Sequence, residues 1–306
     1  MSTIPYSFLN MFKLLDWIDE SKLTNSISSN PNAIAYLETR PELLDWYFLS
    51  GNPYAITLLE QNPYDIYWDW LSLNPNAIPL LEKNLDKINW VWLSQNSMAI
   101  KLLEKHSERI HWGYLSSNPG AIHLLERNQD NIDWSLLSLN PNAIPLLEKN
   151  LDKINWRLLS ENPNAIPLLE KYPEKIDWDH LSENPSAIPL LKKNPDKINW
   201  EYLSINSQCI SLLEEHQDKL DWELWDLSPE TIHLLENNVN WAYLSSNPGA
   251  IHLLERNQDK ISWNFLSTNP AIFEYDYKKM TRPFTEELMQ ERFHPRNLDK
   301  FESWGF

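Results

Sequence analysis

The sequence predicts an all-α solenoid of about twelve stacked 22-residue helix-turn-helix repeats, with a cap at each end. The main observation is a tryptophan that recurs along most of the chain. Nine of its ten consecutive intervals are 22 residues and one is 19. Apolar residues and turn residues recur with the same period. The eleven tryptophans are Trp46, Trp68, Trp90, Trp112, Trp134, Trp156, Trp178, Trp200, Trp222, Trp241 and Trp263.

Each unit contains two segments with the apolar spacing of a helix. Counted from the tryptophan as position 0, the unit reads W-x-x-L-S-x-N-P-x-A-I-x-L-L-E-x-N-x-D-x-I-x, and residues 134–155 are a clean copy. Ile at −2, Trp at 0 and Leu at +3 share one face of a first helix. Ala, Ile, Leu and Leu at +9, +10, +12 and +13 form the apolar stripe of a second helix. The units lack the apolar–polar alternation that is typical of strands.

Polar and proline residues at fixed positions predict where the helices begin and end. Asn at +6 is a preferred N-cap and Pro at +7 suits a first helical position. Asn at +16 is expected to stop the second helix, and Asp at +18 to cap the next first helix. A proline at +11 would disrupt a helix interior, so either a 3₁₀-like turn precedes α geometry that starts near +10, or the helix is kinked there; we favour the first. Such prolines are Pro79, Pro145, Pro167 and Pro189.

The units are too small to fold alone, because isolated helices of two or three turns are only marginally stable in water. Burial of the Trp and Leu faces against the next unit must therefore stabilise them. With neighbouring helices about 8–10 Å apart, the sequence predicts an open rod or arc on the order of 100 Å long. We expect the indoles in the interior of this stack, and not as platforms for sugars or bases.

The chain divides into three predicted parts. Residues 1–23 are expected to form an amphipathic N-terminal capping helix, residues 24–273 the twelve-repeat solenoid, and residues 274–306 a C-terminal cap or tail with a helix through 286–292. Thr24 is interpreted as standing at the tryptophan position of unit 1. Unit 10 departs from the pattern, with Trp225 in place of Leu, Ser228 in place of Asn and three residues missing.

The formal net charge of −17 restricts the partners. Without a basic stripe, binding to nucleic acid or to an anionic membrane surface is not expected, and a protein partner with a basic surface is favoured. The only cysteine, Cys209, stands at +9, where most units have a small buried alanine. The sequence has no run of about 18 apolar residues and no signal peptide. We therefore expect a soluble, intracellular protein.

No arrangement of residues predicts an enzyme, a cofactor or a metal site. Five glycines in the whole chain are too few for a clustered phosphate-binding loop. Carboxylates at +14 and +18 recur in nearly every unit, whereas a catalytic pair is needed once, so they indicate helix caps and Glu–Lys surface pairs. His123, His233 and His252 share position +11, but histidines in adjacent units would lie too far apart for one metal ion.

A binding surface is expected where the repeat varies while its frame is kept, at positions +1, +5, +8 and +11. Neutral drift of solvent-facing residues would give the same variation. Position +2 is a second candidate, because its aromatic residues vary and are expected to be half exposed. The candidate partner-binding residues are Asp69, Asn76, Val91, Met98, Lys101, Gly113, His123, Arg157, Asn164, Asp179, Ser186, Glu201 and Gln208.

The repeat LSENPNAIPLLEKYPEKIDW at residues 159–178 resembles tandem-repeat proteins of large DNA viruses of the mimivirus kind. The ending NPAIFEYDY…FHPRNLDKF is also similar to theirs. The resemblance covers nearly the whole chain from about Asn30. It implies an infected-host or virion setting and carries over no functional residue.

Three functions are compatible with the sequence. The first is a non-enzymatic scaffold that binds a protein along a variable solenoid face. The second is a structural virion component, in which the rod acts as a spacer or tape between shell proteins. The third is an acidic mimic of nucleic acid, which the lysines interleaved with the acids at +15 and +19 disfavour.

Overall fold

The computed structural model describes residues 12–203, 206, 208 and 240–276. In these ranges the chain folds into short helices and turns that repeat with the tryptophan period, with two three-residue strands near the ends. The predicted all-α solenoid is confirmed.

In most of the described units a first helix begins at the recurring tryptophan and a second helix begins at +10. The first helices span Trp46–Gly51, Trp68–Leu73, Trp90–Leu93, Trp112–Ser116, Trp134–Ser138, Trp156–Glu161, Trp178–Glu183, Trp200–Leu203, Trp241–Ser246 and Trp263–Thr268. The second helices span Ile34–Thr39, Ile56–Gln61, Ile78–Glu82, Ile100–Lys105, Ile122–Arg127, Ile144–Glu148, Ile166–Lys171, Ile188–Lys193 and Ile251–Arg256.

Short 3₁₀ turns connect these helices. Before second helices they span Pro31–Ala33, Ser97–Ala99, Pro119–Ala121, Pro185–Ala187 and Pro248–Ala250, and in unit 12 the turn Pro270–Ile272 precedes a strand, Phe273–Tyr275. Before first helices they span Glu20–Lys22, Pro41–Leu43, Leu85–Lys87, Ser107–Arg109, Gln129–Asn131, Leu151–Lys153, Pro173–Lys175, Pro195–Lys197 and Gln258–Lys260. In unit 1 a 3₁₀ helix, Asn25–Ser29, replaces the first helix.

The helix ends agree with the sequence at three of the four predicted positions. Pro79 is the second residue of its α-helix, where a missing N–H costs no ladder bond. Asn128 ends its helix and donates to Leu124 O at 2.8 Å. Asn at +6 accepts the +8 amide, as a cap does. The expectation for Asp at +18 is wrong: Asp130 lies in a 3₁₀ turn, and the residue before the tryptophan, such as Asp133, caps the first helix.

The core lies between the two helices of each unit. Leu71, Ala77 and Leu81, at +3, +9 and +13, are 0% exposed, and the same positions are buried along the chain. The tryptophans differ from the expectation of an interior location: they are half-buried and pack against the edge of this core. A lysine of the same unit covers several of them, as Lys153 Nζ does at 4.5 Å from the centre of the Trp134 ring.

The first helices lie closer to one another than the second helices do. Cα atoms of Trp46–Gly51 come within 8 Å of Trp68–Leu73 at many positions, whereas consecutive second helices scarcely approach so closely. Elements that pack side by side around a curve are closest on its concave side. The first helices therefore form an inner layer and the second helices an outer layer.

A ladder of asparagine side chains joins each unit to the preceding one. Asn162 Nδ2 donates to Ser138 O at 2.9 Å and to Asn140 O at 3.0 Å, two carbonyls that follow the preceding first helix. Its Oδ1 accepts the Asn164 N–H at 3.0 Å. Carbonyls at a helix end have no partner within the helix, so the ladder satisfies groups that burial would otherwise penalise. Asn52, Asn74, Asn96, Asn118, Asn140, Asn184, Asn206 and Asn269 make the same pair of donations.

The serine at +4 makes a second link between units. Ser138 Oγ donates to Trp134 O at 2.8 Å and accepts the Asn155 N–H of the next unit at 3.1 Å. Both atoms of this hydroxyl are used, although the side chain is 0% exposed. The serine thus orients the start of the following first helix.

The same ladder joins the first unit to the last. Asn30 Nδ2 donates to Ser267 O at 3.2 Å and to Asn269 O at 2.8 Å, so unit 12 stands where a preceding unit would stand. Thr24 N–H donates to Ser267 Oγ at 3.0 Å. In other units this bond is made by the residue before the tryptophan. Thr24 therefore does not stand at the tryptophan position, and that interpretation is wrong.

The two ends of the described chain pair as strands. Strand β1 (Phe12–Leu14) runs antiparallel to β2 (Phe273–Tyr275), with Lys13 opposite Glu274. Their side chains form an ion pair at 2.8 Å. Within residues 12–23 the expected amphipathic helix is replaced by β1 and a 3₁₀ turn.

Residues from the N-terminal segment complete unit 12. Lys22 Nζ lies 5.0 Å from the centre of the Trp263 ring, as Lys260 does for Trp241 in unit 11. Leu23 is buried at 6% exposure, just after its 3₁₀ turn, where other units have isoleucine. Unit 12 is therefore built from both ends of the chain, and this explains why its own repeat stops at Ile272.

The repeats close into a ring, so the predicted open rod or arc is wrong. Each of eleven described asparagines, Asn30 included, donates to the asparagine carbonyl of the unit before it, and the series returns to its start. One step differs in length: Asn247 Nδ2 donates to Asn206 O across 41 residues instead of 22. Unit 11 thus follows unit 9 in the ladder. Cys209, Trp225, Ser228 and the predicted helix 286–292 lie outside the described residues.

The ladder predicts unequal effects for two neighbouring asparagines. Asn162→Ala removes two buried donors and a cap, and we expect the free energy of unfolding in urea to fall by about 3 kcal/mol. Asn164→Ala removes one exposed hydrogen bond to Pro141 O, so its loss should be about 0.5 kcal/mol or less. Equal losses would contradict the role of the ladder.

Ring closure predicts that the two ends can be cross-linked. Paired Cα atoms of antiparallel strands lie about 4.5–5.5 Å apart, within the span of a disulfide. In a Cys209→Ser background, Lys13→Cys with Glu274→Cys should form an intramolecular disulfide that shifts the band on a non-reducing gel. Each single variant is the control. An open rod would give only intermolecular dimers.

Candidate functional site

The ring exposes two different surfaces. The inner wall consists of positions +1, +2 and +5 of the first helices, whose +3 and +4 residues face the core. The outer face consists of positions +11, +14 and +15 of the second helices. Because the core separates the two helix layers, a molecule in contact with one surface does not touch the other.

Several acidic residues on the outer face are paired with cations. Lys105 Nζ lies 3.3 Å from Glu82, and Lys171 Nζ lies 3.1 Å from Glu148 in the preceding unit. His123 Nε2 lies 3.0 Å from Glu104 Oε1. This confirms the expected Glu–Lys surface pairs, although they link consecutive units. Such exposed pairs contribute about 0–1 kcal/mol each, and they offset part of the negative charge on this face.

Aromatic side chains line one part of the inner wall. This aromatic sector consists of Tyr47, Phe48, Trp70, Trp92 and Tyr114, in units 2 to 5. The ring centres of Tyr47 and Trp70 are 5.3 Å apart, and those of Trp70 and Trp92 are 5.2 Å apart, with edge-to-face geometry. Phe48 is 36% exposed and Tyr114 is 40% exposed. The expectation that +2 residues are half exposed is confirmed here.

Charged residues occupy another part of the inner wall. This acidic sector consists of Arg157, Glu161, Asp179, Glu183 and Glu201, in units 7 to 9. At the other described +1 and +5 positions, Asp69 alone carries a charge. Units 2–5 and units 7–9 lie nearly opposite each other in a ring of eleven steps. The inner wall therefore has an apolar side and a net negative side.

A hydrogen-bonded network orders the acidic sector. Arg157 Nε donates to His180 Nε2 at 2.9 Å, and His180 Nδ1 lies 3.0 Å from Asp177 Oδ1. The two nitrogens of the imidazole thus connect Arg157 to Asp177. The ring of Tyr202 stacks on His180 with centres 5.7 Å apart. Burial opposes ionisation of Asp177, but the hydrogen bonds from His180 outweigh it and lower the pKa of Asp177.

Two carboxylates of this sector ionise less readily than usual. Partial burial raises the pKa of Glu161, although the nearby His180 and Arg157 act to lower it. Burial also raises the pKa of Glu183, and the neighbouring charge of Glu161 raises it further. Holding both ions in the folded state has a cost, which a cation placed between them would relieve.

The thirteen candidate residues divide between surfaces. The +1 residues, which are Asp69, Val91, Gly113, Arg157, Asp179 and Glu201, lie on the inner wall. The +11 residues, Lys101 and His123, lie on the outer face. The +8 residues, which are Asn76, Met98, Asn164, Ser186 and Gln208, lie on the turns between the helices; Asn76 and Asn164 donate to carbonyls of the preceding unit.

Sequence reasoning missed Glu161 and Glu183 as site residues and ranked the aromatic +2 row below the +1 row. The variation at +5 was the available signal for the two glutamates. The faces of recurring tryptophans that lysine covers, such as Trp134, are not open platforms for stacking.

Comparison with models of protein families, with curated proteins and with solved structures gave no match for this chain. Among the described residues, no helix is both long and apolar enough to cross a bilayer. Over the same ranges, no three His, Cys, Asp or Glu side chains are grouped in a way that could hold a metal ion.

The raised pKa of Glu183 predicts a pH-dependent stability difference. At pH 7 the folded protein holds Glu183 ionised at a cost, so Glu183→Gln should raise the urea midpoint. Below the ordinary glutamate value of 4.5 both states are protonated, and the difference should vanish. Gln95 occupies the same +5 position in unit 4, which indicates that glutamine fits. Glu82→Gln, which loses a contact to Lys105, is the control and should not stabilise. A gain that persists at pH 4 would have another cause.

Proposed function

We propose that this protein is a non-enzymatic ring scaffold that binds a protein partner on its inner wall. The observation that carries the proposal is the distribution of charge. Outer acids such as Glu82 and Glu148 are paired with lysines of the next unit, whereas the acidic sector has four carboxylates and one arginine. Within a repeated frame, the residues of the inner wall differ from unit to unit, as they do in repeat proteins that recognise extended partners.

A protein partner fits this surface better than a nucleic acid does. The net charge of −17 repels phosphate backbones, and the inner wall offers no compensating basic stripe. Aromatic side chains with one polar end are common at protein interfaces, because they bury a large area at a low entropic cost. A partner with a basic surface would also relieve the repulsion within the acidic sector.

The hypothesis of a structural virion component assumed an extended rod. The ring shape disfavours it, because a ring does not act as a tape between distant shell proteins. It stays a prediction that mass spectrometry of purified particles tests. The carboxylates of the acidic sector favour the hypothesis of a nucleic-acid mimic. However, they line the concave inner wall, and a partner protein whose cleft is shaped to hold a duplex could not contact them there.

A pulldown with matched charge reversals tests the proposal. Asp179→Lys with Glu201→Lys alters the inner wall, and Glu126→Lys with Glu170→Lys makes the same change on the outer face. Using full-length protein in lysate of the native cells, we expect partners recovered by wild type to decrease at least tenfold with the inner variant only. Recovery of no specific protein by wild type would refute the scaffold function. If partner recovery decreased only with the outer variant, the binding surface would be on the outer face and not on the inner wall.

A further inference from the structure

The inner wall has two sides of different chemistry, and this difference indicates the kind of partner it accommodates. The aromatic sector presents an apolar, uncharged surface, apart from Asp69, across four consecutive units. The acidic sector, nearly opposite, presents Glu161, Asp179, Glu183 and Glu201. A partner that satisfies both must itself carry an apolar face and a cationic face on opposite sides.

The size of the ring restricts the partner further. The eleven units of the ladder, with axes about 8–10 Å apart in the inner layer, enclose a circle about 30 Å across, which leaves an opening of about 20 Å between their side chains. An α-helix with its side chains is about 10–12 Å wide. One helix therefore fits in this opening, with room for long basic side chains to extend from one sector toward the other, whereas a folded domain would not enter.

We infer that the ring takes up one basic amphipathic helix of its partner, with the apolar face of that helix on the aromatic sector and its arginine or lysine side chains toward the acidic sector. This inference rests on the proposed function and names the partner's chemistry. The aromatic sector supplies apolar contact and cation–π acceptors for arginines at the edge of the helix. The acidic sector supplies carboxylates whose mutual repulsion a bound cation relieves.

The substitutions for a test are taken from other units of the ring, where the replacing residue already stands at the equivalent position. Leu136 and Leu158 stand at +2 in units 6 and 7, so Trp70→Leu and Trp92→Leu place a side chain that the frame already accepts. Gln95 at +5 likewise supports Glu161→Gln with Glu183→Gln. Tyr64→Ala is the aromatic control, because Tyr64 is 99% exposed and does not belong to the inner wall. Glu126→Gln with Glu170→Gln is the charge control on the outer face.

The probe is a fluorescein-labelled 18-residue peptide of leucine, arginine and glutamine, with leucines at i, i+3, i+4 and i+7 so that its helix has one apolar face. Fluorescence anisotropy with full-length protein should show saturable binding of one peptide per ring. A scrambled peptide of the same composition should bind at least tenfold more weakly, because it has no separate apolar face.

The variants separate the two sectors. Trp70→Leu with Trp92→Leu should weaken binding at least tenfold. Glu161→Gln with Glu183→Gln should weaken it about threefold to tenfold and flatten its dependence on salt. Both controls should bind as wild type does. Equal binding of the scrambled peptide, or insensitivity to the inner-wall variants, would overturn the inference.

Other occupants of the ring give distinct results. If the chain's own residues 277–306 fill it, the peptide does not bind, the protein is a monomer by light scattering, and a zero-length cross-linker joins Glu161 or Glu183 to a lysine of that segment. If a second copy fills it, light scattering shows a dimer. Either result overturns the inference. The pulldown is independent of these results, so a partner lost through the inner variant would keep the scaffold function even if the helical peptide does not bind.

Discussion

The fold depends on one interaction, the donation of two hydrogen bonds by an asparagine carboxamide to carbonyls of the preceding unit. Asn162 illustrates why this residue type is needed: its oxygen caps the turn of its own unit while its nitrogen satisfies Ser138 and Asn140 one unit away. Aspartate has no donor, and serine is too short to reach both carbonyls. Because the same hydrogen bonds attach each unit to the preceding unit, each unit is related to the one before it by a similar translation and tilt. Similar steps with a fixed tilt produce constant curvature, and Asn30 shows that the curve returns to its own start.

Because the repeats close into a ring, the ends of the chain have a different structural role from those of an open solenoid. An open solenoid exposes the apolar face of its last unit and needs a cap there. In this ring every unit of the described ladder has two neighbours, and the ends serve to complete unit 12. Strand pairing between Phe12–Leu14 and Phe273–Tyr275, together with the placement of Lys22 over Trp263, joins the two ends at the place where the repeat is interrupted. The stability of the ring is thereby distributed over the whole circle.

The constant frame leaves a few positions free to carry function. Buried leucine, alanine, serine and asparagine positions are nearly invariant between units because each makes a contact that the ring requires. The exposed positions of the inner wall make no contact that the ring requires, and the aromatic and acidic sectors occupy these positions. The network of Arg157, His180 and Asp177 is the clearest departure from the repeat, since it places a histidine where other units have an aromatic or aliphatic side chain.

The sequence alone determined the period, the two helices of each unit, the start of the second helix before Pro79 and the cap made by Asn at +6. These depend on contacts within about five residues, which a repeated pattern displays. The tertiary structure decided ring closure and the division of the thirteen candidate residues between surfaces. It also decided that the charge of Glu161 acts on Glu183. Curvature is set by a small tilt between consecutive units, which accumulates over eleven steps. It cannot be read from the residues of a single unit. The donor half of each asparagine acts 22–24 residues away, so its partner is identified only once neighbouring units are placed.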